Sequence, residues 1–214
     1  MLFIKKSAPP VIFQNYTQQK NAHFDDMPTE VKQTLRESLV AEQGGICAYC
    51  MKRIFANKDE MKIEHLEPRA PENELDYHNL LAVCHGGEEG NKKHYTCDKK
   101  KGNQHLHLSP LRKADMATIT YRAGKIYSSS EVYQHDLHDI LNLNDENLIQ
   151  KRNEALIAFQ RALRRKCKNA SASQAVLSRY YRKYRDHTKD DYKPYAGVII
   201  FYLKRRQSSE NDEK

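Results

Sequence analysis

Ile63-Glu64-His65-Leu66-Glu67-Pro68 is the stretch on which the reading of this chain turns. It lies between a Cys47-x-x-Cys50 pair and a wider pair, Cys84 and Cys97. Asn79 falls between the acid-histidine pair and the second cysteines, and Asp98 follows Cys97 directly. Met61 to Leu66 reads as a short strand and Asn79 to Cys84 as a second. Cys97 to about Gln104 reads as the start of a helix. The order strand, strand, helix, framed by four cysteines, predicts an α+β fold with a small zinc-stapled core.

The cysteines come first in the chemistry. Zinc takes four soft ligands in a tetrahedron, usually as two local pairs. Cys47 and Cys50 form the first pair. Cys84 and Cys97 form the second across an unusually long gap, rich in Gly, Glu and Lys, where His85 or His94 could replace one of them. Four protein ligands leave no open position, so this zinc is structural. Cys167 lies outside the frame as an ordinary thiol.

Glu64 and His65 carry the second constellation. Neighbours on a strand point to opposite faces, so the pair can serve one site only near a strand end. His65 has the right intrinsic pKa to take a proton from a water attacking phosphorus. Glu64, with Asp98 as the second oxygen ligand, suits a hard cation, magnesium or manganese. Asn79 can bond across to the loop bearing His65 and fix the imidazole. Of the lysines that follow Asp98, Lys101 is the candidate phosphate contact. Each residue alone has a plainer reading: a surface pair, a turn Asn, a capping Asp, a solvated Lys.

Composition sets the surroundings. The chain has 214 residues, a net charge of +8 and 30% charged residues. From Lys151 to Arg206 there are sixteen Lys/Arg against four Asp/Glu, a net of +12, so the remainder carries -4. An anionic partner, nucleic acid above all, fits the C-terminal third. Within it, Ser178 to Tyr184 interleaves tyrosines with Arg and Lys, a pattern for a stacking platform or for an amphipathic helix with its tyrosines turned inward. No apolar run reaches the roughly 20 residues of a membrane span. With no signal peptide visible either, a cytoplasmic protein is expected, and five cysteines in that reducing compartment argue for metal ligation over disulfides.

Residues 1 to about 27 read as an irregular leader, with Pro9-Pro10 favouring an extended arm. Val31, Leu35, Leu39 and Val40 mark a helix from Pro28 to Gly44-Gly45. Met116 to Tyr127 reads as a hairpin turning at Ala123-Gly124. Asn144 or Asp145 caps a long helix with Leu148, Ala155, Leu156, Phe159 and Leu163 as its stripe, and Ser173 to Asp186 reads as another. Val198 to Leu203 is a last strand or helix. The expected divisions are 1–43 (arm and helix, partner docking), 44–110 (core), 111–206 (hairpin and basic helices) and 207–214 (disordered tail).

The motifs Cys47-Ala48-Tyr49-Cys50, Glu64-His65, Asn79-Leu80 and Cys97-Asp98-Lys99-Lys100-Lys101-Gly102 resemble those of the HNH, or ββα-metal, nucleases with a zinc knuckle. Over residues 44 to 104 the chain is similar to the PtuB-type HNH proteins of bacterial Septu antiphage defence systems and of certain retrons. The resemblance implies His65 as general base, Asn79 as its orienting residue, and Glu64 with Asp98 at a catalytic magnesium or manganese. It also implies an ABC/SMC-like ATPase partner of the PtuA type and, in retrons, a reverse transcriptase with its multicopy DNA. Two positions depart from the usual pattern: Glu64 stands where Asp is common, and Asp98 where His or Asn is common. DNA is the expected substrate, with structured RNA such as tRNA as the alternative. A non-catalytic zinc-stabilised module binding nucleic acid or protein is the competing function.

Overall fold

Residues 1–87, 91–168, 171–186 and 191–208 are described in the computed structural model. Among them stand eight α-helices and two separate antiparallel strand pairs, an α+β arrangement.

The leader is more ordered than its sequence implies. α1 (Val11–Thr17) begins directly after Pro10. A proline ahead of the first turn gives up an N–H that the helix would leave unpaired anyway. Phe13 and Tyr16, three residues apart, put one face of α1 into the core. Met1 and Ile4 are also buried, and the Ile4 N–H donates to the Pro110 carbonyl at 2.9 Å. Met1, Ile4, Phe13 and Tyr16 thus anchor the leader to the core, and part of it is helical where an extended arm was expected.

α2 (Thr29–Glu42) follows Pro28 as expected and buries Val31, Leu35 and Leu39 at helical spacing. The next two elements make a hairpin: β1 (Lys62–His65) pairs with β2 (Leu80–Val83), with Glu64 opposite Leu81 and His65 opposite Leu80. All four β2 side chains are buried, so this strand is the spine of the site. α3 (Cys97–Lys101) completes the strand, strand, helix order and stops at Gly102, whose φ is +55°.

α4 (Lys113–Ala117) was not legible in the sequence; it is a single short turn. β3 (Ile119–Arg122) and β4 (Lys125–Ser128) form the expected hairpin. Its turn residues, Ala123 and Gly124, both have positive φ, +48° and +74°, as a tight two-residue turn between right-twisted strands requires. α5 (Glu131–His135) runs into a π-helical turn, Asp136–Ile140, also unforeseen. Asp136 is fully buried and accepts the Leu108 N–H at 2.7 Å, which ties this turn to the end of the cysteine region.

α6 (Glu146–Lys166) is capped by Asp145, whose carboxylate accepts the Asn147 N–H at 3.0 Å. Its buried stripe contains Leu148, Phe159 and Leu163, with Ala155 and Leu156 half-buried. The stripe also holds Arg152, fully buried, which donates to the carbonyls of Gly124 and Leu143 at 3.1 and 2.7 Å. α7 (Gln174–Arg185) is capped by Ser173. α8 (Ala196–Ser208) is a helix, where the sequence left strand or helix open. It approaches the cysteine turn so closely that a Cβ on Gly197 would lie 2.8 Å from the Met51 sulfur. Gln207 and Ser208, assigned from sequence to a disordered tail, close α8; residues 209–214 of that tail lie outside the described residues. No helix among the described residues is long and apolar enough to cross a membrane.

Candidate functional site

The cysteine turn is built by local hydrogen bonds. The Met51 N–H donates to the Cys47 carbonyl at 3.0 Å and the Cys47 N–H to the Lys52 carbonyl at 2.9 Å. The Ala48 N–H reaches the Ala82 carbonyl at 3.1 Å and docks the turn on β2. Cys84 leaves the end of β2. Cys97 opens α3 at a φ of +53°, with its N–H held by the Leu141 carbonyl at 3.0 Å.

All four cysteines are buried, and their sulfurs lie within 4.8 Å of one another. Cys47–Cys97, Cys50–Cys84 and Cys84–Cys97 are 3.9, 3.6 and 3.8 Å apart. A tetrahedron with metal-sulfur bonds of about 2.3 Å has edges of roughly 3.8 Å, so the four thiols fit zinc. The Lys52 N–H points at the Cys50 sulfur from 3.4 Å, as suits a thiolate. The histidines weighed as substitutes are engaged elsewhere. His85 Nε2 lies 3.2 Å from the Lys58 carbonyl, and His94 Nδ1 lies 2.7 Å from Asp145. Cys167 stands apart, half-buried.

On β1 the side chains alternate. Glu64 turns toward the cysteine turn and α3. Its Oε1 accepts the Tyr49 hydroxyl at 3.3 Å and lies 2.9 Å from the Lys101 ammonium. Burial first, and then the adjacent Asp98 carboxyl, push Glu64 up to about 8 against the pull of Lys101. Asp98, second in α3, takes the Lys62 ammonium at 3.0 Å. Two carboxyl groups thus face each other beside the cysteine cluster. One of them favours a proton unless a cation replaces it.

His65 ends β1 and faces the other way. Its Nε2 is 3.0 Å from the Glu74 carbonyl oxygen, and the Phe24 ring meets it edge-on with centroids 4.7 Å apart. Burial lowers its pKa below the usual 6.5, and the positive charge of Arg69 adds to this against the Glu74 carbonyl. The ring is neutral at pH 7. A carbonyl only accepts, so Nε2 carries the hydrogen and Nδ1 is the free acceptor.

Asn79 closes a 3₁₀ turn, Tyr77–Asn79. Its Oδ1 accepts the Glu67 N–H at 2.7 Å, and its Nδ2 donates to the Glu67 carbonyl at 3.3 Å. It clamps the segment leaving His65 without touching the imidazole, whose orienting contact is Glu74. Lys101 is placed otherwise than expected. Its side chain is 1% exposed and donates to Glu64 and, at 3.0 Å, to the His65 carbonyl. It is an internal counter-charge rather than a phosphate contact, because the short α3 rolls that face onto β1.

The structure therefore brings Glu64, Asp98 and Lys101 together, and His65, Glu74 and Phe24 together. Among the described residues no hydrogen bond joins the imidazole to either carboxylate, and the four cysteines are the only His/Cys/Asp/Glu group of three or more close enough to share a metal. Of the two readings of Ser178 to Tyr184, the structure supports the amphipathic helix. Tyr180 and Tyr184 turn inward, with centroids 5.7 and 5.2 Å from that of Phe159.

Tyr49, Glu74, Phe24 and Lys62 escaped the sequence reading. Tyr49 sits inside the C-x-x-C, where nothing marks its hydroxyl as reaching Glu64. Glu74 and Phe24 come from irregular segments without periodicity.

No protein-family model matches the chain. It is 33% identical over 85 residues to a protein of Vibrio cholerae serotype O1 biovar El Tor named "Retron Vc95 putative HNH endonuclease". The match covers 37% of this chain and 39% of that protein, so the chain spans about two fifths of the relative's length.

Proposed function

We propose that this chain is a divalent-metal-dependent endonuclease of the HNH, ββα-metal type that hydrolyses phosphodiester bonds. DNA is the first substrate and structured RNA such as tRNA the alternative. The observation that carries the proposal is the state of His65: a neutral imidazole whose Nε2–H is held by Glu74 and whose Nδ1 can accept a proton. It stands one residue along the strand from a carboxyl that abuts Asp98.

In this reading His65 Nδ1 takes the proton from the attacking water. Asn79 holds the backbone at Glu67, and with it the end of β1. Glu64 and Asp98 would hold magnesium or manganese. Such a cation, when bound, supplies positive charge against that building on the non-bridging and leaving oxygens. A zinc on the four cysteines would be structural and would hold Asp98 in register through Cys97.

A second reading has an observation of its own. The Lys101 ammonium already occupies the place beside Glu64, at 2.9 Å, as a zinc-stabilised module without catalysis would allow. The two separate in one assay: purified chain with magnesium or manganese, plasmid DNA and total tRNA, and a His65→Ala control. Cleavage lost in the control supports the nuclease, and the polymer cut assigns the substrate. Failure to cut either polymer, with or without an ATPase partner, leaves the binding module.

We further assign the chain to a bacterial antiphage defence system, as an effector acting with an ABC/SMC-like ATPase. A retron reverse transcriptase and its multicopy DNA are further partners. The retron in the name of the similar Vibrio protein supports this. Deleting the first twenty residues would remove Met1, Ile4, Phe13 and Tyr16 from the core, so docking is better probed at Val11, 70% exposed on α1. Val11→Asp should abolish co-purification with the ATPase; retained binding would place the interface elsewhere.

A further inference from the structure

Three arginines of the C-terminal third, Arg164, Arg205 and Arg206, line one groove together with Arg122. Between the β3–β4 turn, α6 and α8 lies a cavity of about 280 Å³. A second, of about 250 Å³, lies between α6, α7 and α8. Tyr202 and Arg206 line both, and the two follow one another along α6, Leu156 lining the first and Gln160, Leu163 and Arg164 the second. Among the described residues no acidic side chain lines either. Arg122, Arg205 and Arg206 surround the first, and Arg164 and Arg206 the second. Among the described residues Arg122, Arg164 and Arg206 form no ion pair, whereas Arg205 sits 6.0 Å over the Phe201 ring.

The floor is as informative as the rim. Phe201 and Tyr202 are only half-buried, beside Leu156 and the buried Val198. Solvated arginines alone would not need an aromatic floor. An acidic peptide would be served by the charge but not by the rings. Flat apolar faces flanked by guanidinium groups suit a strand whose bases stack while its phosphates pair. Each cavity is at the small end of ligand pockets, about 300 Å³. Two in series therefore suit a repeating polymer better than one bulky ligand.

We propose that this groove binds a single-stranded segment of nucleic acid, with a base stacked on Phe201 and Tyr202 and successive phosphates paired to Arg122, Arg206 and Arg164. It shares no residue with the His65 site. It is nonetheless fixed to the cysteine turn, because the Tyr195 N–H ahead of α8 donates to the Met51 carbonyl at 2.9 Å. Its role in presenting substrate rests on the nuclease reading; the binding itself does not.

The test is anisotropy of a fluorescent twelve-residue oligothymidylate with the full chain, without added divalent cation. Arg122→Glu and Arg206→Glu change exposed side chains that form no ion pair among the described residues, and leave the core intact. Each should weaken binding about three- to tenfold, and Phe201→Ala by about tenfold. Arg161→Glu, the same charge change on α6 outside the groove, should weaken it less than twofold. An equal loss in Arg161→Glu means diffuse basicity and overturns the proposal. So does displacement of the oligonucleotide by polyglutamate of equal charge at equal concentration. The nuclease reading fails separately: a wild-type chain that binds through the groove yet cuts nothing with magnesium or manganese removes that reading and leaves this one. Wild-type cleavage with unaffected groove variants does the reverse.

Discussion

His65 Nε2 lies 3.0 Å from the main-chain oxygen of Glu74, and this contact decides which ring nitrogen is free. The free Nδ1 is a base only while the ring is neutral. Burial holds the His65 pKa below 6.5, so the active form predominates at pH 7 and is lost as pH falls through that lowered pKa. A single-turnover pH profile should show an acid limb with its midpoint under 6.5 and a plateau above it. His65→Ala should reduce the rate by roughly 10²- to 10⁴-fold across the plateau. An acid limb centred above pH 7 would sink the assignment of His65 as base.

Glu64 behaves oppositely. Its carboxyl is pushed up to about 8 by burial and by Asp98, so the folded protein without a cation prefers it protonated. The stability this confers is full below the ordinary carboxylate range near 4.5 and is lost as pH rises through about 8. A divalent cation that displaces the proton should therefore bind more tightly as pH rises between those values. Melting curves with and without manganese should show a stabilisation that grows from pH 5.5 to pH 8 in the wild type. It should be absent in Glu64→Gln. A shift independent of pH, or one that survives the substitution, would mean the cation binds elsewhere.

What the sequence made legible was what repeats at fixed spacing. The four cysteines could be assigned because soft ligands in two pairs have few other uses. α2, the hairpin at Ala123-Gly124 and the stripe of α6 followed from periodicity and turn chemistry. The partners of the site residues were hidden, because they arrive from segments without a period. Phe24 and Glu74 reach His65 through loops, and only the three-dimensional path brings them there. Lys101 was misread for a related reason. A lysine run signals charge, but the direction in which a five-residue helix rolls is set by Cys97, which no local pattern reveals. The α7 tyrosines turn inward, as the amphipathic alternative expected, but their partner Phe159 lies on another helix and could not be read from the local pattern.

The cysteine cluster predicts one zinc per chain and a fold that depends on it. Buried thiols this close repel one another once ionised, and zinc turns that repulsion into ligation. Cys84→Ser should lose the metal and the cooperative melting transition. Cys167→Ser, outside the cluster and half-buried, should keep both. Elemental analysis by mass spectrometry with parallel thermal melts makes the comparison. A Cys84→Ser protein that melts as wild type with no zinc would show that apolar packing alone holds the turn.

Lys101 offers the sharpest choice between two roles. A phosphate contact would be exposed, and its removal would lower the salt dependence of nucleic-acid binding by about one counterion. The observed ammonium is buried between the Glu64 carboxyl and the His65 carbonyl. Lys101→Met keeps the length of the stem but removes both contacts. It should cost about 2 kcal/mol of stability, in the range for a lost hydrogen bond to a charged group. Because Lys101 is the one side chain bonded to both Glu64 and the end of β1, cleavage should fall as well. The slope of binding against salt should stay at the wild-type value. A shallower slope with unchanged stability would return Lys101 to the phosphate and show that the contact with Glu64 opens when substrate arrives.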